Sequence, residues 1–149
     1  MPPSPALTTA IAPAPLDALV IPAALDGRDG ANRAAGRHAQ IAATNDLDAL
    51  RAWLARFTGT KTTFENYRKE AERLLLWSIV QLGKPLSSLT HEDLLVYQHF
   101  LADPQPVALW VAGGGRKHPR SDARWRPSYG ALSAASQRQA MVILNVMFA

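Results

Sequence analysis

The side chains that could carry out catalysis are few, and they form no catalytic or metal-binding pattern. The four histidines are His38, His91, His99 and His118, and no two of them have the spacing of a zinc motif such as HExxH. Cysteine is absent, which excludes a thiolate metal site, a cysteine nucleophile and a disulfide framework. We therefore expect no catalytic residue, no metal site and no cofactor in this chain.

Two further patterns that could indicate catalysis have simpler explanations. The segment 113–117 is glycine-rich and basic, but it lacks the GxxxxGK[ST] spacing of a phosphate-binding loop and follows no predicted strand. Glu70 and Glu72 would lie on different faces of a helix, where Lys69 and Arg73 are available as ion-pair partners. The first pattern predicts a flexible loop tip and the second predicts structural ion pairs.

The basic residues are more informative, because their distribution is uneven. The chain has 16 lysines and arginines against 12 acidic residues, a net charge of +4 that mildly favours polyanionic partners. From residue 104 to the end, Asp122 is the one acidic residue, whereas six residues are basic. These six are Arg116, Lys117, Arg120, Arg124, Arg126 and Arg138.

Two helix starts combine cations with short polar side chains. The start of a helix presents backbone amides outward, so such residues there suit contacts to phosphates and bases. The first cluster lies on the second predicted helix: Lys61, Thr62 and Thr63 are at its start, and Asn66, Lys69 and Arg73 are predicted on the outward side opposite its early apolar stripe. The second cluster, on the last predicted helix, is Ser136, Gln137 and Arg138. An ordinary solvated helix surface is the alternative interpretation.

Apolar residues recur at steps of three and four in four segments, which predicts helices near 46–57, 63–82, 91–102 and 134–148. Capping residues support each start: Asn45, a Thr62–Glu65 capping box, a Thr90–Asp93 capping box, and Ser133. No segment pair has hairpin chemistry, so we expect an all-α bundle. The residues predicted to form its core are Trp53, Phe64, Leu74, Trp77, Leu94, Phe100 and Leu144.

The remaining segments lack such periodicity. Residues 1–44 contain six of the eleven prolines within the first 22 positions and are predicted to be a disordered, flexible leader before a domain at 45–149. Residues 104–132 form a long insertion before the last helix, of a length typical of functional or disordered loops. The chain ends within an apolar stripe at Met147 and Phe148, which suggests a fragment of a longer protein. No signal peptide or membrane span is predicted.

The order of these motifs resembles the N-terminal core-binding domain of the tyrosine recombinase (phage integrase) family. Residues 61–67 with Glu70, Arg73, Leu74 and Trp77 are similar to its T-x-x-x-Y-x-x-x-L-x-x-F/L-x-x-W pattern. Residues 83–86 and 89–93 match the connection to its third helix. Later matches are Tyr97, Phe100, Leu101, Asp103, Pro104, Trp125, Arg126, Pro127, Leu132, Ser133 and Ser136.

This resemblance implies a four-helix SAM-like fold that clamps double-stranded DNA at a crossover site, with the second and fourth helices in the major groove. Thr62, Thr63, Asn66 and Ser136 match base-contacting positions, and Lys61, Lys69 and Arg138 match phosphate contacts. Arg73 and Gln137 adjoin these positions. Partners would be DNA and further recombinase protomers, in the nucleoid of a bacterial cytoplasm.

The family's catalytic residues lie in a second domain, and no histidine here is followed by arginine three residues later. The resemblance therefore implies a non-catalytic piece of a DNA breaking and rejoining enzyme. The alternative, from another class, is a helical protein-interaction or regulatory module that binds no DNA.

Overall fold

The structure, a computed structural model, describes residues 12–28 and 45–148. These residues form five α-helices: α1 (Asp46–Leu54), α2 (Lys61–Leu76), α3 (His91–Ala102), α4 (Val107–Trp110) and α5 (Ala134–Phe148). Within the described ranges there is no strand, and the one β-type contact is an isolated bridge between Val111 and Ser128. The predicted all-α class is confirmed. No helix in these ranges has the length and apolar character needed to cross a membrane.

Local sequence determines where most helices begin. The Asn45 side chain accepts a hydrogen bond from the Asp48 amide at 2.9 Å, and Thr90 and Asp93 form the predicted reciprocal capping box. Ser133 Oγ accepts from the Ser136 amide at 3.2 Å. The capping box predicted at Thr62 is wrong, because α2 begins at Lys61: the Phe64 amide already donates to Thr60 O at 2.9 Å.

The central helix α2 packs against both α1 and α5, and α5 also packs against α3. Residues 70–79 are buried without interruption. Beyond Leu76 the chain continues as a π-helical turn over Trp77–Gln81 and ends before Gly83, whose φ of 65° favours glycine. This matches the predicted end near residue 82.

Most of the predicted core is buried as expected. The residues of that set that are buried are Trp53, Leu74, Trp77, Phe100 and Leu144. Phe64 and Leu94 are half-buried, and both pack against the edge of the core. The apolar periodicity therefore identified the inward face of each of the four longer helices.

The flexible leader predicted over 1–44 is wrong for residues 12–28, which pack on the helices. Leu16 and Leu19 are 3% and 7% exposed. The Leu16 amide donates to Glu72 Oε2 at 2.8 Å, and Arg51 Nη2 donates to Leu16 O at 2.9 Å. The composition predicted that the entropy lost on ordering would keep this segment disordered. The burial of two leucines and the hydrogen bonds of the backbone offset that loss. The rest of the predicted leader lies outside the described residues.

The same segment meets the start of α1. The Asp46 amide donates to Asp26 O at 2.7 Å, and the Asp46 carboxylate accepts from the amide and hydroxyl of Ser87. Gly27 lies directly against this carboxylate, with a φ of 82°, and an added Cβ would fall 1.9 Å from Asp46 Oδ2. Glycine is therefore required at this close approach by both space and backbone conformation.

The insertion at 104–132 contains α4 but is otherwise largely irregular, and two of its tryptophans are buried. Trp110 is fully buried, and its indole Nε1 donates to Gln81 Oε1 at 2.9 Å. Trp125 is 6% exposed. Backbone bonds between Trp110, Ala112 and Ser128 hold the two sides of the insertion together. Residues 113–115 form an exposed turn at its tip.

Candidate nucleic-acid interface

A cleft of about 380 Å³ lies between α2 and the first turns of α5. Residues 127–133 form one of its walls. Its other lining residues are Lys69, Glu70 and Arg73 from α2, and Ser136 and Gln139 from α5. The last predicted helix of the sequence is α5, so this cleft brings together residues from both of the predicted DNA-contact clusters.

Arg73 lies at the buried side of this cleft and not on an exposed helix face, so its predicted exposure is wrong. The whole residue is 4% exposed, and its guanidinium pairs with Glu70, three residues earlier, which is equally buried. The physical reason is that α2 is covered on all sides from residue 70 onward. A buried arginine is stable at this position only because the neighbouring carboxylate of Glu70 balances its charge.

Electrostatics keep this buried group charged. Burial on its own lowers the pKa of Arg73, but its interactions with Tyr97 and Glu70 more than compensate and raise that pKa above its usual range. Burial raises the pKa of the Tyr97 hydroxyl, with Arg73 opposing the shift. Arg73 is therefore a permanent cation and Tyr97 a neutral phenol at physiological pH.

Lys69 occupies the open side of the cleft. Its side chain is 52% exposed, and its Nζ is 3.9 Å from Glu70 Oε2, a separation too long for a hydrogen bond. The ammonium is therefore attracted to Glu70 but is available to other partners. Lys69 and Arg73 together exceed the charge of Glu70 by one positive unit.

The start of α5 contributes amides and hydroxyls to the cleft. Ser133 Oγ donates to Ser136 Oγ at 3.2 Å, so the two hydroxyls form a pair at the helix terminus. The first turn contains no acidic residue, which leaves the positive end of the helix dipole uncompensated within that turn. The side chain of Gln137 instead donates to Leu132 O at 2.9 Å and is half-buried, so it has a structural role. Arg138 is exposed.

The first turns of α2 present most of the remaining predicted residues. Lys61, Thr62 and Asn66 are exposed, and Thr63 is half-buried. No acidic residue lies in the first turn. Nearby, the Arg68 guanidinium lies 5.4 Å from the centre of the Phe64 ring. Thus Lys61, Thr62, Asn66, Lys69, Ser136 and Arg138 are the predicted residues that remain accessible to a partner.

The cations of the insertion are mostly engaged within the fold. Arg120 binds Glu72 and Asp17, and its guanidinium lies 5.8 Å from the centre of the Trp125 ring. Arg124 pairs with Asp122, and Arg126 donates to the carbonyl of Ala108. Arg116 and Lys117 are exposed. The basic composition of the insertion therefore overstates the positive charge that it offers to a partner.

Sequence reasoning missed the wall at residues 127–133 and the buried carboxylate of Glu72. Ser128 is 1% exposed and lines the cleft, whereas Tyr129 is 41% exposed at the same wall. The alternation of buried and exposed residues here follows no helical period, so periodicity gave no signal. Among the described residues, no cluster of three or more His, Asp or Glu side chains could hold a metal ion.

Comparisons with protein-family models, with characterised proteins and with solved structures found no match to this chain.

Proposed function

We propose that this chain binds double-stranded DNA through the surface formed by the first turns of α2, the cleft and the first turns of α5. The observation that carries the proposal is that Lys69 and Ser136, which were predicted separately as DNA contacts on two different helices, line the same cleft. Lys69 and Ser136 are far apart in sequence. They share this concave surface because α2 and α5 pack against each other.

The residues on this surface divide by chemistry. Lys61, Lys69 and Arg138 carry long cationic side chains, which suit backbone phosphates and contribute affinity without sequence preference. Thr62, Asn66 and Ser136 are short and uncharged, which suits base edges in the major groove. Arg73 and Gln137 act indirectly, Arg73 through its charge at the buried side of the cleft and Gln137 by fixing the start of α5.

We further propose that α1, α2, α3 and α5 correspond to the four helices of a SAM-like core-binding bundle of the tyrosine recombinase type. The support is the resemblance in motif order together with the contact of α2 and α5, the two helices that such a domain would use on DNA. On this proposal the chain is the DNA-clamping part of a bacterial recombinase, acts with other protomers on DNA, and is not itself the catalytic part.

A second candidate is a helical module that binds another protein. Its support is a set of exposed apolar residues on α3 and α5, two helices that pack against each other. These residues are Leu95, Val96, Val142, Val146 and Phe148. Exposed apolar side chains on two neighbouring helices are compatible with a protein-interaction surface.

Titration of a labelled duplex at several salt concentrations distinguishes the two candidates. DNA binding with about five phosphate contacts predicts weak affinity, with log K falling against log salt at a slope of about −4 to −5. Lys69→Ala is expected to flatten this slope by about one unit. Lys117→Ala, an exposed cation outside the cleft, is the matched control and is expected to have less effect. Absence of binding at low salt would contradict the DNA proposal and favour the protein-interaction module.

A further inference from the structure

The buried side of the cleft between α2 and α5 contains a polar atom whose hydrogen-bonding capacity the described residues do not use. Ser128 Oγ is buried there without a hydrogen-bond partner among them. Ser128 lines the cleft and is 1% exposed. Arg73 Nε also lacks a partner of ordinary geometry in the described part of the chain, but the Arg73 side chain already interacts with the buried Tyr97 hydroxyl. Buried polar groups without partners are rare in folded proteins, because burial removes their water without replacing it. The Ser128 hydroxyl therefore points to a bound group that supplies an acceptor.

The charges around these atoms define what that group would be. Lys69 and Arg73 carry two positive charges, and Glu70 carries one negative charge that is already paired with Arg73. The positive end of α5 adds to this excess, and no acidic residue in its first turn reduces it. The site therefore suits a group with a single negative charge.

The donors also come from three different parts of the chain. Lys69 belongs to α2, Ser128 belongs to the wall at 127–133, and α5 begins at Ala134. Ser136 and Gln137 amides are already bonded to Ser133, which leaves the amides of Ala134 and Ala135 without an acceptor inside the helix. Acceptor oxygens that point in several directions match such donors better than the two coplanar oxygens of a carboxylate.

We propose that this cleft is a binding site for one phosphate group, with Ser128 and the α5 amides as its donors, Lys69 at its open side and the charge of Arg73 at its buried side. The inference rests on the proposed function in one respect: the phosphate is taken to be a phosphodiester of DNA. The same donors would accept a free phosphate or a nucleotide monoester, so the experiment includes all three sources.

Backbone amide shifts of the isotopically labelled full chain provide a direct readout. The probes are inorganic phosphate, a deoxynucleoside monophosphate and sodium acetate, each added at constant ionic strength. We expect saturable shifts at residues 128–136 with the two phosphates, and none with acetate. Shifts in acetate equal to those in phosphate would overturn the proposal, because charge alone would then explain them.

Two variants test the donors without removing the buried ion pair. Ser128→Ala deletes the unpartnered hydroxyl with little change in volume, and Lys69→Gln removes the charge at the open side. Each is expected to weaken phosphate binding at least about threefold. Ser121→Ala and Lys117→Gln, which alter an exposed serine and an exposed lysine outside the cleft, are expected to leave it unchanged. Unaltered phosphate affinity in both cleft variants would overturn the proposal.

A duplex DNA arm separates this inference from the proposed function. If DNA supplies the phosphate, duplex shifts the same amides, and inorganic phosphate competes with it for them. If phosphate binding depends on Ser128 and Lys69 while duplex produces no shifts at low salt, the phosphate site stands and duplex binding by this chain is refuted. If duplex binds but phosphate does not shift residues 128–136, the site is refuted and the proposed function stands.

Discussion

The guanidinium of Arg120 donates to both carboxylate oxygens of Glu72, at 3.0 and 2.6 Å. Glu72 is buried on α2 and also accepts the Leu16 amide, and Arg120 reaches Asp17 at 3.4 Å. One carboxylate thus joins the central helix, the N-terminal segment and the insertion. The hydrophobic periodicity of the sequence gave no indication that these three parts of the chain contact one another.

Removal of Arg120 should destabilise the fold, because the buried Glu72 carboxylate then keeps the Leu16 amide as its one hydrogen-bond partner among the described residues. We expect Arg120→Ala to lower the free energy of unfolding by about 3 kcal/mol. This is the lower end of the range for breaking a buried ion pair, because the Arg120 side chain is 25% exposed. Urea denaturation measures this change. Arg124→Ala, which breaks an exposed pair with Asp122, is the control and is expected to leave stability unchanged. Equal effects of the two variants would contradict the structural role of Glu72.

The packing of residues 12–28 can be tested at two neighbouring apolar residues. Leu16 is 3% exposed, so Leu16→Ala should lower the free energy of unfolding by about 2–4 kcal/mol through lost burial and a cavity. Val20 is 84% exposed, and Val20→Ala should have no measurable effect. Thermal denaturation of both variants measures the difference. A neutral Leu16→Ala would show that this segment does not contribute to the stability of the core.

Acid should weaken the start of α3. A hydrogen bond from Lys84 and one from the Thr90 amide hold the pKa of Asp93 below its ordinary value. Because the folded pKa is the lower one, the stabilisation is complete above about pH 4 and is lost as pH falls through the folded pKa. Asp93→Asn should therefore reduce the pH dependence of unfolding below about pH 4. Glu92→Gln removes a charge in the same turn without touching Lys84 and is the control. An unchanged acid profile in Asp93→Asn would contradict this assignment.

Asn66 should affect sequence preference and not the electrostatic part of DNA binding. Its amide can donate to and accept from an adenine edge, so Asn66→Ala should cost about 1–3 kcal/mol on a preferred duplex and nothing on random duplex. The salt slope should remain unchanged, because no charge is lost. Duplexes selected from a random pool and titrated in parallel with a random sequence measure this effect. If the loss is equal on both, Asn66 does not read bases.

Sequence alone predicted those parts of the fold that depend on local contacts. The ends of α3 follow from the Thr90–Asp93 box and from Pro104, and the central helix was found because Leu74 and Trp77 repeat at helical spacing. The packing of Leu16 could not be predicted in this way. Its partners, Arg51 and Glu72, are far away in the chain, and no periodic pattern marks a short irregular segment that crosses a bundle.

The candidate site was predictable in its exposed part and not in its buried part. Ser136 lies in the first turn of α5 and Lys69 lies on the polar side of α2, and short-range spacing predicts the exposure of both. Arg73 was predicted to be exposed because charged residues usually are. Its interior position is stable because the carboxylate of Glu70 is buried beside it. Ser128 gave no signal, since it lies in an irregular stretch whose backbone bonds go to Trp110 and Ala112, which are distant in sequence.

The contact between the Asp26 carbonyl and the Asp46 amide means that the backbone departs from and returns to almost the same point on the surface of the domain. Residues 12–28 can therefore be regarded as a peptide that binds the helical domain and is also covalently connected to it. The covalent connection raises the effective concentration of this segment at the surface that it binds. Two separately produced pieces, divided between Arg28 and Asn45, are expected to reassemble by fragment complementation. Leu16, Leu19 and the bonds to Glu72, Arg51 and Asp46 would all contribute to the affinity.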